Sequence, residues 1–464
     1  MRRPQSWPLW LLPLVVLACG PTPGAIDRPN LVVIIGDDHG YPYAGFMGSE
    51  VVRTPHLDRL AADGTVFTNA YNVASSCRPS LMGLLTGLDP YQVELRSKQL
   101  ANRDRPRHEA NRILDFHTLP SLLAQRGYRS FQVGKHWEGN ALQAGFSAGS
   151  KASRPPGKWK LSDLAGGDSA REIGRTTMKP VWDFLEQAGD EPFLLWFAPM
   201  LPHTPLDAPH RYREPYIEAG LSNSAVAYYA NITRLDVAIG QVLERLDEMA
   251  LRERTLVVYL SDNGWDQPPH VEARRRSLIL GGPHGKMSMY ELGFRTPIVF
   301  QWEGHVAKGA VHDELVSTLD LFPTLLDYAG LAAPAGRLGQ SLRPTIENGE
   351  PLLERSIYGR MAGALPETAD AAARSVLDRL RKPASFARRG RWHFFAFETP
   401  AGKPVSEGQR LYDLEHDPEE MRDVAGAHPE IVAALGREIA LWKKQARRSL
   451  PKPVNRMSTW TSSE

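Results

Sequence analysis

Short apolar runs recur along the chain, and polar or charged residues follow each of them closely. Three are continuous, at 31–35, 193–197 and 255–260, and a weaker one spans 128–133. A run without polar alternation is typical of a strand that is covered on both faces. Amphipathic helical patterns lie between the runs, at 55–63, 119–126 and 226–249. This alternation predicts an α/β fold with a large, mostly parallel mixed sheet flanked by helices.

The pattern changes from about residue 345. Residues 356–359 and 392–397 resemble strands, and 429–447 carries apolar residues at helical spacing. These segments predict a smaller C-terminal subdomain, with an antiparallel sheet and a helix. We therefore expect a catalytic domain at 29–344, a subdomain at 345–450 and a polar tail at 451–464.

The N-terminus has the features of a targeting segment. Arg2 and Arg3 precede an apolar stretch that is too short and too rich in proline to span a bilayer. Residues 16–20, Val-Leu-Ala-Cys-Gly, resemble a bacterial lipobox. This predicts a lipoprotein signal peptide at 1–18, a lipid on Cys19, a tether at 19–28, and export to the cell envelope, on the periplasmic side or at the cell surface. The alternative is an ordinary secretory signal peptide.

Composition narrows the candidates for chemistry. A net charge of +2 over 464 residues gives no indication of nucleic-acid binding. The chain has two cysteines, so Cys77 has no second thiol in the body of the protein. Cys77 lies just before Pro79, which can begin a helix, and a helix N-terminus favours a thiolate or an anion. The alternative is a small buried apolar residue.

The strand ends carry the strongest chemical signal. Their polar residues are Asp37 and Asp38, Lys135 and His136, His203, and Asp262 and Asn263. Ligands of open α/β sheets bind beyond the carboxyl ends of the strands. Carboxylate and amide oxygens suit Ca²⁺ or Mg²⁺ rather than zinc, so the pattern predicts one oxygen-rich cation site. Taken singly, each of these residues could also belong to an ordinary turn.

Several motifs together resemble the type I sulfatases of the alkaline phosphatase superfamily. They include Asp-Asp-His-Gly-Tyr at 37–41, Cys-Arg-Pro-Ser at 77–80, Gly-Lys at 134–135, Pro-His-Thr-Pro at 202–205, Ser-Asp-Asn-Gly at 261–264 and Gly-Lys at 285–286. The similarity runs in family order from about residue 29 to about residue 445.

The resemblance implies a set of roles. A formylglycine-generating enzyme would oxidise Cys77 to 3-oxoalanine (formylglycine), whose hydrate attacks sulfur. Asp37, Asp38, Asp262 and Asn263 would bind Ca²⁺, or Mg²⁺, together with the modified Cys77. Asp262 could also accept the proton of the nucleophile. Lys135 and Lys286 would neutralise sulfate oxygens, and His203 would protonate the leaving alcohol.

Two positions depart from the family pattern. The signature usually has an arginine where this chain has Leu81, and that arginine serves both the modifying enzyme and the site. We hypothesise that Arg78, nearly on the same helical face, substitutes for it in part. The family order Lys-Trp-His is Lys135-His136-Trp137 here, and in an extended chain this shift turns the side chain to the opposite face. The shift argues against a role of His136 in regenerating the aldehyde, and His136 is kept only as a candidate.

The sequence thus predicts a sulfuric ester hydrolase that acts on an aryl or carbohydrate sulfate. The alternatives are a phosphonate or phosphate monoester hydrolase of the same fold, and a catalytically silent lipoprotein that binds sulfated glycans. The segment 266–283 carries Arg274, Arg275 and Arg276. It is either a solvated loop or a grip on an acidic, sulfated glycan.

Overall fold

The computed structural model describes residues 28–101, 113–136, 140–149, 171–265, 284–361, 383–399 and 404–454. The predicted signal peptide with Cys19, the triple arginine at 274–276 and Trp137 lie outside the described residues. The proposed domain boundaries stay predictions.

Within the described residues, the larger sheet has nine strands in the order β4-β3-β5-β1-β6-β7-β2-β8, and β9 pairs with β2. The strands are β1 (Asn30–Gly36), β2 (Thr65–Tyr71), β3 (Arg129–Gly134), β4 (Ala148–Gly149), β5 (Phe193–Ala198), β6 (Thr255–Ser261), β7 (Arg295–Gln301), β8 (Ala310–His312) and β9 (Val316–Ser317). Strands β4, β3, β5, β1 and β6 pair in parallel, whereas β7 is antiparallel to both β6 and β2. The predicted mostly parallel sheet is confirmed, and the reversal at β7 is a feature that the pattern did not predict.

Helices lie on both faces of this sheet, and one more packs on the C-terminal sheet. They are α1 (Pro55–Ala62), α2 (Cys77–Thr86), α3 (Pro90–Ala101), α4 (Leu119–Leu123), α5 (Lys179–Ala188), α6 (His210–Glu218), α7 (Asn223–Glu248), α8 (Glu291–Phe294), α9 (Leu321–Tyr328), α10 (Arg343–Asn348) and α11 (Pro429–Arg448). Alternate residues of β1 enter two separate apolar cores, Leu31 and Val33 on one face and Val32 and Ile34 on the other. Burial on both faces explains why the strand is continuously apolar.

The C-terminal sheet is antiparallel, as predicted. Its strands are β10 (Ile357–Met361), β11 (Ala384–Arg389), β12 (Trp392–Glu398) and β13 (Pro404–Asp413), paired in that order. Helix α11 packs on this sheet through Leu435, Ile439 and Trp442. None of the helices in the described part of the chain combines the length and apolar character that a bilayer crossing needs.

The register of the parallel strands places the polar strand ends side by side. Gly36 of β1 pairs with Ser261 of β6, and Gly134 of β3 pairs with Ala198 of β5. The next residue after three of these strands is Asp37, Asp262 or Lys135. Four neighbouring strands, in the order β3-β5-β1-β6, therefore deliver their polar residues to one edge of the sheet.

Candidate active site

The carboxylates beyond β1 and β6 form one buried cluster. The backbone N–H of Asp38 donates to Oδ1 of Asp262 at 3.1 Å, and Nδ2 of Asn263 donates to Oδ1 of Asp38 at 2.7 Å. Asp37, Asp38, Asp262 and Asn263 are at most 2% exposed. The structure thus brings together all four residues that were predicted to bind a cation.

Four oxygens of this cluster lack a hydrogen-bond partner among the described residues. They are Oδ2 of Asp37, Oδ2 of Asp38, Oδ2 of Asp262 and Oδ1 of Asn263. Buried polar atoms are nearly always hydrogen-bonded, and an exception indicates an ion or a functional role. Hard oxygens in this number are the ligands that Ca²⁺ or Mg²⁺ prefers. The residues present therefore fit a divalent cation.

The backbone at Asp38 is held in an uncommon conformation. Its φ is 65°, in the left-handed region, which aspartate tolerates better than most side chains. The hydroxyl of Tyr228 donates to the Asp38 carbonyl at 2.6 Å and accepts from the N–H of Gly40 at 3.1 Å. Tyr228 thereby fixes the turn that points the Asp38 carboxylate into the cluster.

Two buried lysines balance the carboxylates. Nζ of Lys135 donates to Oδ1 of Asp37 and lies 3.6 Å from Oδ2 of Asp262, and Nζ of Lys286 donates to Oδ1 of Asp38 at 2.6 Å. Burial opposes the charge of Lys135, but Asp37 and the other acidic groups raise its pKa above the ordinary value. Both predicted sulfate-binding lysines are therefore in the site. Gly134 is required just before Lys135, because its φ is +88° and a Cβ would lie 2.0 Å from the carbonyl oxygen of Ala198.

The pKa values of the two carboxyl groups are shifted in opposite directions, although burial acts to raise both. Burial raises the pKa of Asp262 to about 8, with Lys135 opposing and Asp37 and Asp38 adding to the rise. Burial would raise the pKa of Asp38 as well, but Lys286, His203 and Lys135 hold it well below its usual range. The two carboxylates differ because Asp38 has cations on several sides.

Cys77 is the first residue of α2 and is buried beside this cluster. The Sγ atom of Cys77 and carboxylate oxygens of Asp37 and Asp262 lie within 4.8 Å of one another. Burial raises the pKa of the thiol, and Lys135 and Lys286 oppose that rise. The thiol is therefore not the reactive thiolate that a helix N-terminus alone would favour, and the two lysines are close enough to act on it.

The backbone before Cys77 is pinned by two other loops. The N–H of Met287 donates to the carbonyl of Ser75 at 2.6 Å, and the N–H of Arg360 in β10 donates to the carbonyl of Val73 at 2.9 Å. The C-terminal sheet thus supports the segment that carries the cysteine. The Lys286 loop supports it from the other side.

His203 lies at the rim of the cluster. Its Nε2 is 3.6 Å from Oδ2 of Asp38, and its side chain is 12% exposed. Nδ1 lies 2.8 Å from the carbonyl of Thr204 and donates to it, which leaves Nε2 to exchange a proton. Burial lowers the pKa of His203, against the carboxylates of Asp37 and Asp38.

The remaining predicted residues have different surroundings. Arg78 is half-buried at the second position of α2. Leu81 is 4% exposed and packs in the apolar core under the sheet, with Leu84 and Leu85. The ring of His136 packs edge-on against Phe146, with centroids 6.4 Å apart. The proposed roles of Arg78 and His136 stay predictions.

Sequence reasoning missed the supports behind the carboxylates. The buried ring of His39 accepts a hydrogen bond from the hydroxyl of Tyr259, and its Nε2 donates to the carbonyl of Tyr43 at 2.7 Å. Burial lowers the pKa of His39 to about 4, so the ring is neutral. Nothing local in the sequence marks Tyr228 or Tyr259 as partners, since they lie about 190 and 220 residues from the groups they contact.

The fold and the cluster together define a class of enzyme. An oxygen-rich cluster that fits a divalent cation, two lysines and a rim histidine lie around Cys77 at the carboxyl edge of a mostly parallel sheet. This arrangement suits a metal-dependent hydrolase that stabilises an anionic ester as charge moves onto its oxygens.

Comparison with known proteins identifies the family. The family model described as Sulfatase matches residues 29–331. Human N-acetylgalactosamine-6-sulfatase is 31% identical, over 72% of this chain and 69% of that protein. Human arylsulfatase A is 29% identical, over 93% of this chain and 90% of that protein. The chain therefore belongs to the sulfatase family, and the enzyme is a sulfuric ester hydrolase.

A solved structure supports the fold over nearly the whole chain. It was determined in complex with its substrate, D-glucosamine-2-N,6-O-disulfate, and it matches with a TM-score of 0.64 at 17% identity. The match covers 91% of this chain and 98% of that one. At this identity the likeness is one of fold, and it includes the C-terminal antiparallel sheet.

Proposed function

We propose that this sulfatase cleaves the sulfate monoester of a carbohydrate or aryl alcohol, with formylglycine formed at Cys77 and one bound Ca²⁺. The observation that carries the proposal is the group of four buried oxygens without hydrogen-bond partners beside Cys77. Such a group needs a cation, and Cys77 lies where that cation and an oxidised side chain at position 77 would meet. The names of the relatives, which act on sulfated sugars or are arylsulfatases, support the substrate class.

The roles of the two implied groups can be stated briefly. The formylglycine hydrate would supply a geminal diol, one hydroxyl of which attacks sulfur while the other allows sulfate to be expelled, and the cation would acidify the attacking hydroxyl. Asp37, Asp38, Asp262 and Asn263 would hold the cation. Four protein oxygens favour Ca²⁺ over Mg²⁺, which prefers to keep several waters.

The chain's own charged residues perform the rest. Lys135 and Lys286 neutralise the charge on the sulfate oxygens, and each such contact is typically worth about 3 kcal/mol of the barrier. As the ester S–O bond breaks, its electron pair stays on the leaving oxygen. His203 in its doubly protonated form, with Nδ1–H on the Thr204 carbonyl, then gives the Nε2 proton to that oxygen, so that a neutral alcohol departs and the ring becomes neutral.

Mass spectrometry combined with turnover tests this function. The protein is co-expressed with a formylglycine-generating enzyme, and the peptide containing Cys77 is analysed. We expect the mass decrease for replacement of the thiol by an aldehyde, and hydrolysis of 4-nitrophenyl sulfate that scales with the modified fraction. Cys77→Ala, prepared in the same way, is the matched control.

Three outcomes would overturn the proposal. Full activity of protein with an unmodified thiol at Cys77 would show that formylglycine is not the nucleophile. Preferred hydrolysis of a phenyl phosphonate ester would favour the phosphonate monoester hydrolase. Binding of sulfated glycans without turnover by fully modified protein would favour a silent binding protein. Metal analysis after chelation and reloading decides between Ca²⁺ and Mg²⁺.

Export and lipid anchoring at Cys19 complete the proposal, on the lipobox pattern at residues 16–20. We expect the protein in the membrane fraction of the envelope, with incorporation of labelled palmitate. Cys19→Ala should release it from the membrane. A wild-type protein that is soluble and unlabelled would contradict the anchor.

A further inference from the structure

The loop that carries His203 has no regular secondary structure. It runs from the end of β5 at Ala198 to the start of α6 at His210. A proton donor must be held within hydrogen-bond reach of the leaving oxygen, so the position of this loop matters for the reaction. Loops are the more mobile parts of a fold unless other groups tie them down.

One side chain from another segment ties this loop at four points. Nη2 of Arg175 donates to the carbonyls of Met200 at 2.8 Å and His203 at 2.9 Å. Nη1 donates to the carbonyl of Pro205 at 3.2 Å and pairs with the carboxylate of Asp207. The guanidinium therefore binds the backbone on both sides of His203 and at His203 itself.

Arg175 is itself held in place. Its side chain is 5% exposed, and Nη2 of Arg234 in α7 donates to the Arg175 carbonyl at 2.7 Å. Nη1 of Arg234 also contacts Oδ1 of Asp207 at 3.1 Å. Nearby, Ile173 is 1% exposed and lies in the same apolar core as Leu201. The long helix α7 and the core thus anchor the arginine that anchors the loop.

The geometry suits arginine in particular. A planar guanidinium has five donors in a fixed fork, whereas the ammonium group of lysine is a point charge that cannot reach several separated acceptors at once. Hydrogen bonds from a charged donor are shorter and stronger than neutral ones. The hydrogen bonds of its Nη1 and Nη2 atoms all go to this loop, and Nε has no hydrogen-bond partner among the described residues. Its effect on the reaction is therefore exerted through His203.

We propose that Arg175 is a positioning residue for acid catalysis, which fixes the loop so that Nε2 of His203 faces the leaving oxygen of the ester. The inference rests on the proposed function, in which His203 protonates the departing alcohol. It adds the residue that makes this proton transfer efficient. Arg234 and Asp207 act behind it as supports.

The test measures kcat/KM over a series of sulfate esters whose alcohols differ in pKa. A good leaving group such as 4-nitrophenolate needs little protonation, whereas an alkyl or sugar alcohol needs it fully. His203→Ala sets the benchmark for loss of the acid. Arg175→Gln should lose at most about threefold on 4-nitrophenyl sulfate and at least about a hundredfold on alkyl sulfates, within the range expected for acid catalysis.

Two further comparisons separate positioning from a general structural role. The double variant Arg175→Gln with His203→Ala should be no slower than His203→Ala alone, because both changes remove the same step. Arg337→Gln is the matched control. Arg337 also binds backbone carbonyls, those of Thr86 at 2.6 Å and His117 at 3.4 Å. Its replacement should leave the dependence of kcat/KM on the pKa of the leaving alcohol unchanged.

Equal losses on all esters, or additive losses in the double variant, would overturn the role of Arg175. Arg175→Lys keeps the positive charge but lacks the forked guanidinium, and it replaces Arg175→Gln in the test if that variant does not fold. It should also make kcat/KM depend more steeply on the pKa of the leaving alcohol. Sulfate hydrolysis by the wild type reports on the proposed function separately. If the wild-type protein has no sulfatase activity, the proposed function is wrong. If the wild-type protein is active and the Arg175 variants lose the same factor on every ester, only the role of Arg175 is wrong.

Discussion

Charged groups are buried in two regions of the molecule, and the two regions differ in how many of these groups have hydrogen-bond partners within the protein. At the interface of the C-terminal subdomain, Oε1 of Glu398 accepts from Oγ of Ser385 at 2.6 Å and from Lys443, and Oε2 accepts from Arg360. Arg360 also donates to Glu94 of α3 at 3.0 Å. At the carboxyl edge of the large sheet, by contrast, four side-chain oxygens have no hydrogen-bond partner among the described residues.

The difference distinguishes a structural cluster from a functional one. Both oxygens of Glu398 are bonded, and although burial opposes it, Arg360 helps to hold the pKa of Glu398 below its ordinary value. The cluster at this interface is complete within the protein and joins the C-terminal sheet to α3. The cluster at the sheet edge is completed only by something that the protein binds, and this is the physical basis for placing a cation there.

The largest effect is expected when a cation ligand at the sheet edge is changed. Asp262→Asn should lower activity at least about a thousandfold, or ~4 kcal/mol, because the cation loses a carboxylate ligand. Without a cation, burial disfavours the charged form of Asp262 and raises its pKa, so a neutral amide at this position removes a charge that the folded state opposes. Calorimetry of chelated protein should therefore show an unchanged or higher unfolding temperature. A large loss of stability in Asp262→Asn would show that this carboxylate has a structural role.

The complementary change is made in the interface cluster. Arg360→Ala should reduce the free energy of unfolding by about 3 kcal/mol, since the buried Glu398 keeps only Lys443 and Ser385 and the partly buried Glu94 loses this partner. Activity per folded molecule should stay near the wild-type value. Denaturant unfolding measures the first quantity, and kcat at a temperature well below the transition measures the second. If Arg360→Ala lowers activity without lowering stability, the assignment of this cluster to a structural role is wrong.

Asp89, a buried carboxyl group outside both clusters, provides a further test of how an incompletely hydrogen-bonded carboxyl group affects stability. It accepts from the N–H of Tyr91 at 2.7 Å, but its Oδ2 is unpartnered among the described residues, and burial raises its pKa to about 7. The folded protein therefore keeps a proton that the unfolded chain releases above the ordinary value of 3.8. The associated stability is present below about pH 4 and is lost as the pH rises to about 7.

Asp89→Asn removes this dependence, so the variant should gain stability relative to the wild type as the pH rises. We expect the gain between pH 5 and pH 8 to be about 1–3 kcal/mol, measured by denaturant unfolding. Asp183→Asn, on the exposed surface of α5, is the control. A difference that does not change with pH would show that the Asp89 carboxyl is ionised throughout.

The smallest effect concerns the departure at Leu81. If Arg78 substitutes in part for the missing arginine, Arg78→Ala should lower kcat/KM about tenfold on protein with equal formylglycine content. Arg53→Ala, at an exposed position, should have no effect. Equal effects of the two changes would end this hypothesis. Normalising to the modified fraction separates a role in the site from a role in maturation.

The sequence was most informative where local pattern and topology coincide. Continuous apolar runs such as 31–35 predicted the central strands, and the rule that parallel strands share a carboxyl edge brought Asp37, Lys135 and Asp262 together correctly. The antiparallel β7 was not predicted, because its run resembles the parallel strands and direction is set by the chain path. Tyr228 and Arg175 were missed because they bind backbone atoms that are remote in sequence, and Tyr259 because it binds the ring of a histidine 220 residues away; no local spacing records such contacts.

The central claim is that one divalent cation lies between the acidic strand ends and an oxidised residue 77. A crystal structure of catalytically active, metal-loaded protein, with anomalous differences to locate the cation, tests it most directly. We predict one cation at about 2.3–2.6 Å from oxygens of Asp37, Asp38, Asp262 and Asn263, and from an oxygen on the side chain at position 77. An intact thiol at position 77 in fully active protein, or a cation bound away from these oxygens, would contradict the account.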